Sequence, residues 1–281
     1  MNKEEQVVQY FYDNYGWVNK EGISGEDTLF RQFSPPYYPY HVGVDSRTMD
    51  CFSNLNGKLL LAGGGDLPES HVKTANKFSE TTCLDISKVA IDIARRKLEG
   101  RGEFIVGSIL NIPTPSDYFD ACFCAHVIYH IERDHQARAI RELIRVIKPG
   151  GRIVVIYRNP VALPYLLFRL TKKLRLHKVL RRKKRYDRPN AQSPNAEIPP
   201  PLYYFAHPLK WWTQFEAECD IAITPWDVMS NEEEDVIFLN DTIASLGYRL
   251  CSWLENKHPD QAASWWSYPM IVLTKMNGDS T

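Results

Sequence analysis

A run of leucines that opens directly into three glycines sets the first constraint on this chain. Leu59–Leu60–Leu61 is followed by Ala62 and then by Gly63–Gly64–Gly65. A short apolar run of this kind reads as a strand buried on both faces. A glycine turn at its end lets the backbone approach a ligand where any Cβ would clash. The alternation continues downstream. Thr81 to Leu84, closed by Asp85, reads as a second strand, and Phe104–Ile105–Val106 and Ala121 to Ala125 as the next two. Between them, Ser87 stands as N-cap of a helix carrying Val89, Ala90, Ile93, Ala94 and Leu98, stopped by Gly100. Ile140, Leu143, Ile144 and Ile147 share one face of a further helix, which Pro149–Gly150–Gly151 is expected to end. Ile153 to Ile156 follows as a fifth strand. Strands alternating with helical segments mean an α/β fold with a parallel sheet and helices on both faces.

After Tyr157 the regularity breaks. A helix around Lys210 to Glu218, a strand around Ile221 to Thr224, a helix from about Glu233 to Leu254 and a strand from Met270 to Leu273 complete the pattern. The last two strands are expected to join the same sheet, making about seven strands, mostly parallel. Residues 4 to 15 read as a short aromatic-rich helix, 16 to 43 as irregular chain, and 189 to 207 as proline-rich loop. The expected organisation is an N-terminal lid segment (1–55), a ligand-binding core (56–157), a basic and proline-rich insertion forming a cap (158–218), and the last strands with a cap helix (219–281).

Composition removes several classes. The formal net charge is +0, so the whole molecule has no electrostatic reason to seek nucleic acid. No apolar stretch approaches the ~18 residues of a spanning helix, and the first residues lack the layout of a signal peptide, so a cytoplasmic location is expected. The six cysteines are dispersed without a CxxC pair and read as reduced core thiols. His126 and His130 have the spacing of a helical metal pair, but no third ligand follows at a familiar spacing, and no metal is expected.

In an open α/β sheet, ligands sit beyond the carboxyl ends of the strands. Three such ends carry suitable groups here: the glycine turn, Asp85 at 20 residues after Gly65, and Gly107–Ser108–Ile109–Leu110. A carboxylate at Asp85 suits two ribose hydroxyls. An NAD or nucleotide-sugar enzyme of Rossmann type shares the turn and Asp85, although GGGDLP lacks the final glycine of G-x-G-x-x-G.

The segments LLLAGGGDLP (Leu59–Pro68), CLDISKVAIDIARRKL (Cys83–Leu98), FDACFCAHVIYHI (Phe119–Ile131) and RELIRVIKPGGRIVVIY (Arg141–Tyr157) resemble the class I S-adenosylmethionine-dependent methyltransferase family, particularly its small-molecule branch. The resemblance implies a Rossmann-like methyltransferase sheet with an aromatic lid helix at the N-terminus and a cap from insertions after strand 5 and before the last strand. It implies S-adenosylmethionine as cofactor, with Ala62, Gly63, Gly64 and Gly65 against its methionine and ribose. Asp85 would hold the ribose hydroxyls, Ile86 would stack on adenine, Ser108 and Ile109 would edge the adenine, and Ala125 would offer its backbone to the methionine amine. His126, His130 and the neighbouring Tyr129 would face the methyl acceptor. Tyr15, Tyr38 and His41 are candidate acceptor contacts. The chain departs from the family pattern at Leu61 and Ser108, where acids are usual, and at Leu67, where a third glycine is usual. A non-catalytic methyltransferase-like binding protein is the reading those departures favour.

The expected reaction is methyl transfer to a hydroxyl or amine of a small molecule, such as a sugar, glycolipid or secondary metabolite. Residues 172–188 hold ten Lys or Arg and one acid, Asp187, after the apolar PVALPYLLFRL. Residues 161–188 are therefore a candidate contact for anionic lipid, which would make the protein peripheral at the membrane.

Overall fold

The computed structural model describes residues 3–16, 35–65, 67–174 and 201–277. Seven strands form one sheet: β1 (Lys58–Ala62), β2 (Glu80–Asp85), β3 (Glu103–Val106), β4 (Phe119–Ala125), β5 (Ile147–Ile156), β6 (Cys219–Asp227) and β7 (Tyr268–Lys275). Their order is β3-β2-β1-β4-β5-β7-β6. The first five pair in parallel, and β7 runs antiparallel to both β5 and β6.

Alternation along the strands divides the core between the two faces. Leu60, Cys122, Cys124 and Val155 meet the helix Gln136–Val146 on one face. Leu59, Leu61, Ala121, Phe123 and Val154 face the helices Glu69–Ala75 and Lys88–Lys97 on the other. Each fully buried leucine stabilises the fold by about 2 kcal/mol. Ser87 caps the helix Lys88–Lys97 as expected, its hydroxyl accepting from Ala90 N at 3.1 Å.

Four local expectations need correction. Pro149–Gly150–Gly151 does not end a helix: the helix stops at Val146, and the turn is a bulge inside β5. Pairing passes from Phe119↔Ile147 to Ala121↔Arg152 across it, with Gly150 at φ +76°. The stretch read as irregular up to residue 43 contains a helix, Tyr38–Asp50, with proline in its first turn. The span from Glu233 to Leu254 is two helices, Asn231–Ile237 and Asp241–Lys257, because the Asn240 side chain accepts from Ile243 N at 2.9 Å and restarts the chain as an N-cap. The segment around Lys210 is a 3-10 helix, Leu209–Phe215.

Helix Tyr38–Asp50 packs onto the C-terminal helices through a buried polar knot. Glu255 accepts from Tyr40 Oη at 2.5 Å, Arg47 Nη2 at 2.5 Å and Trp266 Nε1 at 2.8 Å. Tyr37 Oη donates to Asp227 at 2.7 Å nearby. Among the described residues no helix is long and apolar enough to cross a membrane. Of the lipid-contact candidate 161–188, residues 161–174 are described and contain the helix Leu163–Lys173; residues 175–188 lie outside the described residues.

Candidate active site

The carboxyl ends of β1, β2, β3 and β4 open into one cavity of about 1020 Å³, measured with its solvent mouth included. Two backbone features shape its floor. Gly63 has φ +68°, and a Cβ there would collide with Val127 Cγ2. Gly65 has φ +56° and donates its N–H to Asp85 Oδ2 at 3.1 Å. The first and third glycines of the turn thus adopt a conformation that side chains disfavour. Leu67 keeps that left-handed conformation, φ +52°, with its side chain fully buried. The backbone bend survives where the family's third glycine is replaced.

Asp85 accepts from Ser87 N at 2.8 Å as well as from Gly65 N. Burial nevertheless outweighs these bonds and raises its carboxyl to about 6. His126 follows β4 directly with φ +62°, a conformation that costs a non-glycine residue about 1–3 kcal/mol. Its N–H donates to Ile156 O at 3.1 Å, and its Nδ1 lies 2.9 Å from Tyr129 Oη. Burial pushes the His126 imidazole down to about 3. His130, at the end of the 3-10 turn Ile128–His130, has Nδ1 on Tyr203 O at 2.9 Å and is lowered by burial.

The structure brings most of the sequence candidates together. Gly63, Gly64, Gly65, Asp85, Ile86, Ser108, Ile109, Ala125, His126 and His130 all line the cavity. Ala62 is buried just behind the turn. Tyr129 is also buried, outside the cavity lining, with its hydroxyl against His126 Nδ1. Tyr15 packs on Phe11 and Tyr10 outside the cavity lining. Tyr38 is exposed and His41 stacks on Tyr37, both apart from the lining.

Sequence reading did not single out Glu4, Glu5, Tyr12 or His71, all of which line the cavity. The first three come from the N-terminal segment, the helix Lys3–Phe11 with the π-turn Tyr12–Gly16. Its position is set by contacts invisible in local pattern: Ser87 Oγ donates to Asp13 at 2.6 Å, and Ser108 Oγ to Glu5. His71, in the helix after the glycine turn, packs edge-on to Phe123 and is lowered to about 4, chiefly by burial. Beyond His126 stands an aromatic wall, with Trp226 and Tyr268 each 5.2 Å from the imidazole.

The charge of the lining decides what it accepts. Its described residues include the carboxylates of Glu4, Glu5, Asp85 and Glu132 and no Lys or Arg. Among the described lining residues a diphosphate would meet four carboxylates and no cation, whereas a cofactor carrying a sulfonium and an ammonium fits their charge. The fold is similar to that of magnesium protoporphyrin IX methyltransferase from Synechocystis PCC 6803 with bound S-adenosylhomocysteine, at TM-score 0.57 and 12% identity, over 97% of this chain and 100% of that one. At that identity the likeness is one of fold. A methyltransferase-domain family model matches residues 61–155. The ubiquinone/menaquinone biosynthesis C-methyltransferase of Yersinia enterocolitica is 30% identical over 183 residues, 58% of this chain and 70% of that protein.

The chain belongs to the class I S-adenosylmethionine-dependent methyltransferases.

The Bordetella parapertussis protein of the same name is 32% identical over 108 residues, 37% of this chain; the chain spans about two fifths, 41%, of that relative's length. The methyltransferase family uses S-adenosylmethionine, and the anionic cavity with Asp85 and the glycine turn supplies groups suited to it. Among the described residues of this methyltransferase no cluster of side chains could hold a metal ion.

Proposed function

We propose that this methyltransferase carries the cofactor's methyl group to a hydroxyl or amine of a small-molecule acceptor, with His126 taking the acceptor's proton. S-adenosylmethionine, when bound, supplies an activated methyl for in-line displacement. Asp85 would hold the ribose hydroxyls, and the turn Gly63–Gly65 would let the backbone close on the methionine portion. The observation that carries the reading is His126 itself. It is half-buried, held in a left-handed conformation at the cavity wall, and bonded through Nδ1 to Tyr129 at 2.9 Å. With Nδ1–H donated to Tyr129, Nε2 keeps its lone pair for the acceptor. Burial keeps the ring neutral at physiological pH but also makes it a weak base, so the imidazolium formed on taking the proton would need the cavity carboxylates beside it.

Trp226 and Tyr268 pack against His126 from outside the cavity lining. The same proton transfer supports a second reading. The curated relatives are named C-methyltransferases of quinone biosynthesis, and removing a proton from a ring hydroxyl makes the adjacent ring carbon nucleophilic. Both readings assign His126 the same proton. Incubation with methyl-labelled cofactor and a panel of hydroxyaromatics, amines and sugars tests them. Label on oxygen or nitrogen of a product supports the first reading, label on ring carbon the second, and no labelled product with any acceptor counts against both.

The helix Leu163–Lys173 exposes Leu163, Leu166, Leu167 and Leu170, and the sequence after it is strongly basic. These support peripheral contact with anionic lipid through residues 161–188 of a protein we propose to be cytoplasmic. Co-sedimentation with anionic vesicles at low salt, lost at high salt, tests this.

A further inference from the structure

Asp85, the glycine turn and His126 set the direction in which an adenosyl cofactor lies. Asp85 ends β2 and His126 follows β4, on opposite sides of β1 in the sheet. With the ribose at Asp85 and the methyl toward His126, the purine falls on the far side of Asp85, over the end of β3. The cavity wall there consists of Ile86, Gly107, Ser108, Ile109 and, from the N-terminal helix, Glu5.

An adenine ring presents an exocyclic amine, which only donates, so its recognition needs an acceptor. The loop after β3 supplies no carboxylate to the cavity. Ser108 is already engaged: its hydroxyl accepts from Leu110 N at 3.0 Å and donates to Glu5 Oε1. The carboxylate at this corner comes from a residue 103 positions earlier in the chain. The N-terminal segment is fastened a second time where Asp13 accepts from Ser87 Oγ at 2.6 Å, directly beside Asp85. Two bridges thus hold the Glu5 carboxylate over the end of β3.

We propose that Glu5 is the purine-recognising carboxylate of this cavity: it accepts the hydrogen bond of the adenine amine, and Ser108 holds it in place. The inference rests on the adenosyl cofactor of the reading above. It makes the N-terminal helix part of the cofactor site, so that docking of the helix and capture of adenosine reinforce each other.

The test is a double-mutant cycle on binding, with S-adenosylhomocysteine and its analogue lacking the purine 6-amino group as probes. The unaltered protein should prefer the amino-bearing ligand by about tenfold or more, the usual worth of a hydrogen bond to a charged group. Glu5→Ala should bind both alike. Glu5→Gln, whose amide oxygen still accepts, should recover part of the preference. Glu4→Ala, one residue away, should keep it. A Glu5→Ala protein that retains the full preference overturns the proposal, as does an unaltered protein that binds both ligands equally. An unaltered protein that binds neither ligand instead removes the adenosyl reading, and this inference with it.

Discussion

Asp85→Asn separates two consequences of burying one carboxylate. The Asp85 carboxyl is raised from 3.8 to about 6 because burial outweighs the Ser87 and Gly65 N–H groups that favour its charge. A group whose pKa is raised on folding stabilises the fold fully below its unfolded pKa and loses that contribution as pH climbs through the folded value. The window therefore runs from about 4 to about 6. Above it, the ionised carboxylate costs the empty protein up to about 3 kcal/mol, at roughly 1.4 kcal/mol per pH unit. The amide of Asn can still accept from Ser87 N, but its NH₂ must face the Gly65 N–H, which costs about 1 kcal/mol. The empty variant should therefore be about 1–2 kcal/mol more stable than the parent at pH 7.5 and about 1 kcal/mol less stable at pH 4. Binding should move the other way: loss of a charged acceptor for the ribose hydroxyls should weaken S-adenosylhomocysteine by about 1.5 kcal/mol or more. Urea titrations of both proteins across pH 4 to 8, with calorimetry at pH 7.5, measure both effects. A variant that tracks the parent's pH dependence, or binds the ligand as tightly, refutes the reasoning.

Other substitutions probe the remaining parts. His126→Ala should leave cofactor binding nearly intact and lower turnover about 10²-fold or more once an acceptor is in hand; unchanged turnover would remove His126 from proton transfer. Tyr129→Phe should reduce turnover less, by about tenfold, since it frees the imidazole without deleting it; steady-state kinetics compares the two. Gly63→Ala should destabilise the empty protein by roughly 2 kcal/mol, from the φ of +68° and the collision with Val127, which thermal melting would show. Glu255→Ala should cost about 3 kcal/mol by leaving Arg47, Tyr40 and Trp266 without their shared acceptor; a change within error would mean that water replaces the carboxylate there.

Much of the sheet was legible because its strands are short apolar runs with turn residues at their ends. Leu59–Leu61, Phe104–Val106 and Ile153–Ile156 each lie within an observed strand. Helix Tyr38–Asp50 was not legible: Pro35 and Pro36 just before it, Pro39 in its first turn and the polar Ser46 and Arg47 hide an apolar face, and the helix is held by Glu255, far away in sequence. The bulge at Gly150 mimics a helix stop because a left-handed glycine serves both purposes. In the cavity, the residues at strand ends could be read from position alone. Glu4, Glu5 and Tyr12 could not, since their placement depends on the bridges from Ser87 and Ser108. Nor could His71, whose helix is aimed into the cavity by the left-handed bend at Leu67. The missing acid at position 108 looked like a weakened site in sequence, whereas in the fold a carboxylate from the N-terminal helix occupies that corner.

An anionic cavity behind a glycine turn should hold a sulfonium cofactor and not a dinucleotide. Titration calorimetry of the full chain against S-adenosylmethionine, S-adenosylhomocysteine and NAD tests it directly. One site per chain is expected for each adenosyl ligand, with an affinity in the micromolar range, about −8 kcal/mol, and no measurable heat from NAD. Tight binding of NAD with no binding of either adenosyl ligand would contradict it.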